Sequence, residues 1–149
     1  GNSILRPIHY GPIIDAPKNA VRAGQHEDIN LITLLMGASA AGLEVLDKQD
    51  NWIPITALPN QLVVNVGDML QRLTNNQLRS TTHRVVNPPK EEWGTTRFSI
   101  PFFLHPVSEM RLDCLTSCVT AENPKAYENI SAGDFLTERL IEIGLLEKK

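Results

Sequence analysis

One stretch of the chain reads Gly24-Gln25-His26-Glu27-Asp28-Ile29-Asn30-Leu31-Ile32-Thr33. It places a histidine and an aspartate two residues apart, directly before a run of apolar and β-branched residues. In an extended segment, side chains at positions i and i+2 point to the same face, so His26 and Asp28 can reach one metal ion while Glu27 points away. The tripeptide alone is weak evidence, because two solvent-facing polar residues in a loop give the same pattern.

A third ligand is available further along the chain, where His83 lies in the run Thr81-Thr82-His83-Arg84-Val85. Two imidazoles and one carboxylate on one face of an ion form a triad that leaves coordination positions open on Fe(II). The same donors also suit Mn, Co, Ni and Zn, so the residue types leave the metal open.

The segment Arg97-Phe98-Ser99-Ile100-Pro101-Phe102-Phe103 adds a different chemistry. Arg97 and Ser99 share one face of a strand by the two-residue period. A guanidinium pairs with both oxygens of a carboxylate, and a hydroxyl adds a further donor. An inward-facing Arg97 therefore indicates an anionic ligand or an internal acid, whereas a surface arginine is the alternative.

Composition fits one folded domain over residues 1–149. Hydrophobic residues make up 42% of the chain and charged residues 21%, and the formal charge is −3 with scattered basic residues. These values argue against disorder and against nucleic acid as a partner. The apolar runs are too short for a membrane span and no secretion signal is evident, which predicts a cytoplasmic protein. Cys114 and Cys118 are expected to be reduced thiols.

Short β-branched and apolar runs separated by proline and glycine predict a mainly β fold. A C-terminal helix is expected behind Ser131, with apolar residues at helical spacing from Phe135 to Leu146. A turn and a short helical segment are expected from Gly67 to Leu73, with Asp68 as its cap. The predicted strands are Leu5 to Tyr10, Asn30 to Met36, Leu43 to Leu46, Trp52 to Ile55, Leu62 to Val66, Ser80 to Val86 and Thr96 to Leu104.

The order of these motifs resembles the isopenicillin N synthase-like group of Fe(II)/2-oxoglutarate-dependent oxygenases. The resemblance extends from about Leu5 to Val107 and includes Gly67-Asp68-Met69-Leu70 and Leu73-Thr74-Asn75. It implies a double-stranded β-helix, or jelly roll, in which two sheets form a funnel around iron. Proteins of this group normally carry a long N-terminal region before the equivalent of Leu5, so the resemblance implies a catalytic domain without that region.

The resemblance also implies roles for individual residues. His26, Asp28 and His83 would bind Fe(II), and Arg97 with Ser99 would hold the distal carboxylate of 2-oxoglutarate. Tyr10 matches a tyrosine that adds its hydroxyl to this clamp, although Ile8 and Gly11 depart from the usual surrounding pattern and an aromatic core role is the alternative. With O2 as cosubstrate, a C–H bond of a small organic substrate would be oxidised, with release of succinate and CO2.

Three other interpretations remain open from the sequence. An iron oxidase of the isopenicillin N synthase type would use the same Arg97 and Ser99 to bind a substrate carboxylate. An inactive jelly-roll module would fold without a competent substrate pocket. A cupin-like zinc or manganese enzyme would use the triad for hydrolysis or isomerisation. Exposed sheet edges also lead us to expect self-association.

Overall fold

The computed structural model describes residues 1–17, 19–37, 41–56, 58 and 60–147. No helix in these ranges has the length and apolar character needed to cross a membrane. The strands are β1 (Ile4–Leu5), β2 (Ile8–Tyr10), β3 (Ala23–His26), β4 (Ile32–Met36), β5 (Leu43–Leu46), β6 (Trp52–Pro54), β7 (Leu62–Val66), β8 (His83–Val85) and β9 (Arg97–Leu104). The helices are α1 (Asp68–Leu73) and α2 (Ala132–Glu142), with short 3-10 turns at Lys90–Glu92 and Thr116–Cys118.

These strands form two antiparallel sheets. One has the order β1-β9-β4-β7, with β2 also paired to β9, and the other has the order β3-β8-β5-β6. Residues of both sheets line one cavity, so the sheets face each other across it. The predicted mainly β fold with a C-terminal helix is confirmed.

The two faces of β9 differ in burial as the two-residue period requires. Arg97, Ser99 and Pro101 are buried and line the cavity, whereas Phe98 and Ile100 are exposed on the opposite face. The neighbouring strands follow the same rule, since Thr33 of β4 pairs with Asn65 of β7 and both line the cavity. The alternation therefore sends polar side chains inward to the site.

Some predicted boundaries were wrong. The strand expected from Leu5 to Tyr10 is divided into β1 and β2 at Arg6 and Pro7, since a proline has no N–H to donate to a ladder. The strand expected from Ser80 shortens to His83–Val85. Strand β3 was not predicted, because Ala23–His26 lacks the alternation of apolar residues by which strands are identified.

The main apolar cluster lies outside the cavity, where the two helices meet the chain that follows β9. Its buried members are Met69, Leu73, Leu112, Ala132 and Phe135. Helix α2 begins as predicted, with the Ser131 hydroxyl accepting the backbone N–H of Asp134 at 3.1 Å. It ends at Glu142, before the predicted Leu146, because Gly144 adopts a positive φ of 76° that terminates the helical path.

Gly67 holds the beginning of α1 against the segment that contains Asp28 and Asn30. A Cβ at this position would overlap the carbonyl oxygen of Asn30, so a side chain is excluded. Gly67 is the N-cap and Asp68 the first helical residue, so the prediction of Asp68 as the cap was wrong. The backbone N–H of Asp68 instead donates to the carbonyl of Asp28 at 2.8 Å, which ties the helix to the segment next to the cavity.

Asn75 fastens the turn after α1 to the loop that precedes α2. The side chain is fully buried, and its amide donates to the carbonyls of Cys118, Asn123 and Pro124 at 3.1 to 3.2 Å. Its oxygen accepts the backbone N–H of Ala126 at 2.9 Å. This one side chain therefore satisfies backbone groups that would otherwise lose their partners on burial.

We expect Asn75→Ala to lower the free energy of unfolding by about 2–4 kcal/mol, because it leaves buried backbone groups unsatisfied. Asn60→Ala is a matched control, since Asn60 is exposed and has a similar positive φ of 67°. The control reports the cost of the backbone conformation alone, about 1 kcal/mol. Urea denaturation of both variants tests this, and equal losses would show that the Asn75 side-chain bonds contribute nothing.

Candidate active site

A cavity of about 260 Å³ lies between the two sheets. His26 enters it from β3, His83 from β8, and Asp28 from the segment between β3 and β4. The pairing of His26 with His83 across β3 and β8 sets the two imidazoles side by side, with ring centroids 4.3 Å apart. One ligand atom from each of the three residues lies within 4.8 Å of the other two. The structure therefore brings together all three residues that the sequence singled out as metal ligands.

Both histidines are oriented by backbone carbonyls. The Nδ1 atom of His26 donates to the carbonyl of Gly24 at 2.8 Å, and that of His83 donates to the carbonyl of Thr81 at 2.9 Å. Because a carbonyl only accepts, each Nδ1 carries a proton, and in the neutral form of the ring Nε2 then has the free lone pair that a metal ion binds. The Nε2 atoms lie 3.9 and 3.8 Å from Oδ1 of Asp28. The three free donor atoms therefore point toward one another.

The second oxygen of Asp28 is held by two donors on the inner face of the first sheet. Its Oδ2 accepts the Thr33 hydroxyl at 2.5 Å and the Asn65 amide at 2.8 Å. The Asn30 amide donates to the Thr33 oxygen at 3.0 Å, so this hydroxyl directs its own proton to Asp28. Asp28 is only 6% exposed. Its carboxylate is therefore fixed with Oδ1 toward the histidines.

The residues of the predicted carboxylate clamp line the same cavity. Arg97 and Ser99 are buried, and Tyr10 pairs with Arg97 across β2 and β9. The guanidinium carbon of Arg97 lies 5.3 Å from the centroid of the Tyr10 ring. Burial lowers the pKa of Arg97, the Tyr10 side chain raises it, and the nearby charge of Arg22 lowers it. The structure thus places the three predicted clamp residues together around the cavity.

Other residues named from the sequence lie away from this centre. Glu27 is exposed and accepts the Thr82 hydroxyl at 2.5 Å, in keeping with the expectation that it points away from the metal. Cys114 and Cys118 are free thiols, as predicted.

Sequence reasoning missed three residues of the site. These residues are Thr33, Asn65 and Arg22, none of which was predicted to belong to the site. The sequence held a partial signal for Asn65 and Thr33, because each is a polar residue in an otherwise apolar strand, but their cross-strand pairing is seen only in the structure. Arg22 gave no such signal, since it precedes a strand that was itself not predicted.

Two facing antiparallel sheets around a His-Asp-His cluster define a jelly-roll metalloprotein. Residues 1–106 match the model of the 2OG-Fe(II) oxygenase superfamily, so the chain belongs to this family. Fe(II), 2-oxoglutarate and O2 are the cofactor and cosubstrates of the family. The recognition made from the ordered motifs is confirmed.

Known proteins of the family extend well beyond the length of this chain. Kihadalactone A synthase LFS of Citrus sinensis is 36% identical over 137 residues, which are 89% of this chain and 39% of that protein. The 2-oxoglutarate-dependent dioxygenase htyE of Aspergillus rugulosus is also 36% identical, over 91% of this chain and 42% of that protein. The chain therefore spans about two fifths of the length of these relatives.

Solved structures confirm the jelly-roll fold. A 2OG-Fe(II) oxygenase family protein from Caulobacter crescentus is 57% identical, with a TM-score of 0.89 over 96% of this chain and 46% of its own. A full-length protein from Neurospora crassa, solved in complex with alpha-KG and thymine, is 38% identical, with a TM-score of 0.87 over 96% of this chain and 45% of its own.

We expect Thr33→Val to weaken Co(II) binding about 10- to 100-fold, because Asp28 loses a donor that fixes its orientation. Thr96→Val is the control, since Thr96 is exposed just before β9. Asp28→Ala is the reference that should abolish binding. Anaerobic titration of the visible Co(II) bands gives all three affinities, and an affinity for Thr33→Val equal to that of the control would contradict the role of the hydroxyl.

Proposed function

We propose that this chain is the catalytic domain of an Fe(II)- and 2-oxoglutarate-dependent dioxygenase that oxidises an unactivated C–H bond of a small organic substrate. The supporting observation is that the His26-Asp28-His83 cluster and the Arg97-Ser99 pair line the same cavity. The cluster suits a divalent metal ion and the Arg97-Ser99 pair suits a carboxylate. A site for 2-oxoglutarate needs both, because one end of the molecule binds the metal and the other end is a carboxylate. Hydroxylation, desaturation and cyclisation are the outcomes open to such an enzyme.

The donor set fits Fe(II). Two neutral imidazoles and one carboxylate are the protein ligands of non-haem Fe(II) oxygenases, and this triad leaves coordination positions open. Here both Nε2 atoms keep their lone pairs because each Nδ1 proton is bound by a carbonyl. Bound iron would supply the activation of O2 and the oxidation chemistry.

In this proposal His26, Asp28 and His83 hold the metal, while Thr33 and Asn65 keep Asp28 in its binding orientation. Arg97 and Ser99 bind the distal carboxylate of 2-oxoglutarate, and the Tyr10 hydroxyl adds a third donor. This clamp fixes the cosubstrate at its far end, so its keto acid end is directed to the metal. In a hydroxylation, one oxygen atom of O2 enters the substrate and the other enters succinate as CO2 is lost.

A second candidate is an iron oxidase that uses no 2-oxoglutarate. It is favoured by the same buried Arg97, because a guanidinium binds the carboxylate of a substrate as well as that of a cosubstrate. An inactive jelly-roll module and a zinc or manganese enzyme are the remaining candidates.

The metal complex of 2-oxoglutarate separates these candidates. Anaerobic addition of 2-oxoglutarate to the Fe(II) protein should produce a visible metal-to-ligand charge-transfer band. Arg97→Gln should weaken 2-oxoglutarate binding roughly tenfold or more, because a charge-assisted bond is lost in a buried site. Arg97→Lys should restore only part of the affinity, since one ammonium cannot reproduce the guanidinium fork.

Arg111→Gln is the control for this titration, because Arg111 is exposed and pairs with Asp113 outside the cavity. It should bind 2-oxoglutarate as the parent does. Absence of the band at millimolar 2-oxoglutarate, in protein shown to contain Fe(II), would contradict the dioxygenase and favour the oxidase or an inactive module.

Two further expectations remain predictions. The chain on its own should self-associate through sheet edges, since β7 is an edge strand that exposes Leu62 and Val64. A cytoplasmic location is likewise part of the proposal.

The primary substrate is a small molecule, in keeping with the thymine bound in the Neurospora crassa structure.

A further inference from the structure

Arg22 is a second arginine of the cavity that the proposed reaction does not use. It lies immediately before β3, four residues ahead of His26, and its side chain lines the cavity. Its guanidinium carbon is 5.6 Å from the centroid of the Tyr10 ring, and that of Arg97 is 5.3 Å from the same centroid. Two guanidinium groups therefore lie next to one aromatic ring.

The guanidinium of Arg22 is buried without a hydrogen-bond acceptor. All three of its nitrogens are inaccessible to solvent, and none has a hydrogen-bond partner among the described residues. A guanidinium carries five N–H donors, and leaving them unsatisfied in a buried site is costly. The contact with Tyr10 offsets only part of this cost, because a cation–π contact satisfies no N–H donor. These observations indicate that the Arg22 guanidinium receives its hydrogen-bond acceptor from a bound ligand.

The charges of the cavity indicate which ligand that is, and this step rests on the proposed function. Among the described lining residues the acidic side chain is Asp28, and the basic ones are Arg6, Arg22 and Arg97. Arg6 is exposed to solvent and is left out of the sum. Fe(II) would bring two positive charges, Arg97 one, and Asp28 one negative charge, which leaves a net of two. The two carboxylates of 2-oxoglutarate neutralise these two charges. Arg22 is therefore in excess of what the metal and cosubstrate require.

We propose that Arg22 binds a carboxylate of the primary substrate, so that the substrate is an organic acid. The planar guanidinium fork matches the two oxygens of a carboxylate. The cavity lining also includes apolar side chains, among them Leu35, Leu43 and Val45, which suit the hydrocarbon body of such an acid. Arg22 thus determines specificity, while Arg97 holds the cosubstrate.

The test compares small acids with their uncharged amides. Protein loaded with Co(II) and 2-oxoglutarate under argon is titrated with phenylacetate, hexanoate and 4-methylbenzoate, and with the three matching carboxamides. Paramagnetic broadening of the ligand NMR signals reports binding near the metal. We expect at least one acid to bind roughly tenfold or more tightly than its amide. Arg22→Gln should abolish this preference and Arg22→Lys should retain part of it.

Two controls make the result specific. Arg111→Gln should keep the parent's preference for the acid, because Arg111 lies outside the cavity. Affinity for 2-oxoglutarate should change less than about threefold in Arg22→Gln, whereas Arg97→Gln should lose roughly tenfold or more. Circular dichroism of Arg22→Gln and Arg22→Lys shows whether both variants fold. If Arg22→Gln does not fold, the acid preference of Arg22→Lys, which keeps the positive charge, tests the role of Arg22.

Three results would overturn the inference. Acids and amides could bind alike or not at all at millimolar concentration, or Arg22→Gln could keep the preference for the acid. Alternatively, Arg22→Gln could lose 2-oxoglutarate affinity as Arg97→Gln does, which would place Arg22 in the cosubstrate clamp. Failure of the parent to bind 2-oxoglutarate would instead count against the proposed function, and the acid-amide comparison on the Co(II) protein alone would still decide the role of Arg22.

Discussion

The orientation of one carboxylate, that of Asp28, is the constraint on which the site depends. Its two oxygens have different environments, since Oδ1 faces both histidines and Oδ2 is bound by Thr33 and Asn65. Those two donors sit on neighbouring strands of the first sheet, whereas the histidines come from the second. Asp28 therefore lies between the two sheets, with Oδ2 held by the first sheet and Oδ1 facing the histidines of the second, so the sheets must keep their relative positions for the triad to form.

The strands of the first sheet direct the polar side chains of the site into the cavity and apolar side chains to the opposite face. Along β9 the buried Arg97 and Ser99 alternate with the exposed Phe98 and Ile100. One strand therefore supplies polar side chains to the cavity and apolar side chains to the outer surface. The helices contribute differently. They form a separate apolar cluster with the chain after β9, and Gly67 and Asp68 connect that cluster to the Asp28 segment through backbone contacts.

Local sequence pattern was sufficient for most strands because these depend on short-range periodicity, whereas the prediction of three metal ligands also needed the resemblance of the ordered motifs. His26, Asp28, Arg97 and Ser99 follow the two-residue period, and Ser131 follows the rules of helix capping. What could not be predicted depends on long-range register. Nothing near Asn65 indicates that it reaches Asp28. The contact depends on the pairing of β4 with β7, and this pairing cannot be predicted from local strand propensity.

The central claim is that His26, Asp28 and His83 hold one iron ion in the cavity. Crystals grown under argon with Fe(II) test it through anomalous diffraction recorded just above and just below the iron absorption edge. We expect one anomalous peak bounded by Nε2 of His26, Nε2 of His83 and Oδ1 of Asp28. Crystals shown to contain iron, with a peak at other side chains and none between these three atoms, would contradict it.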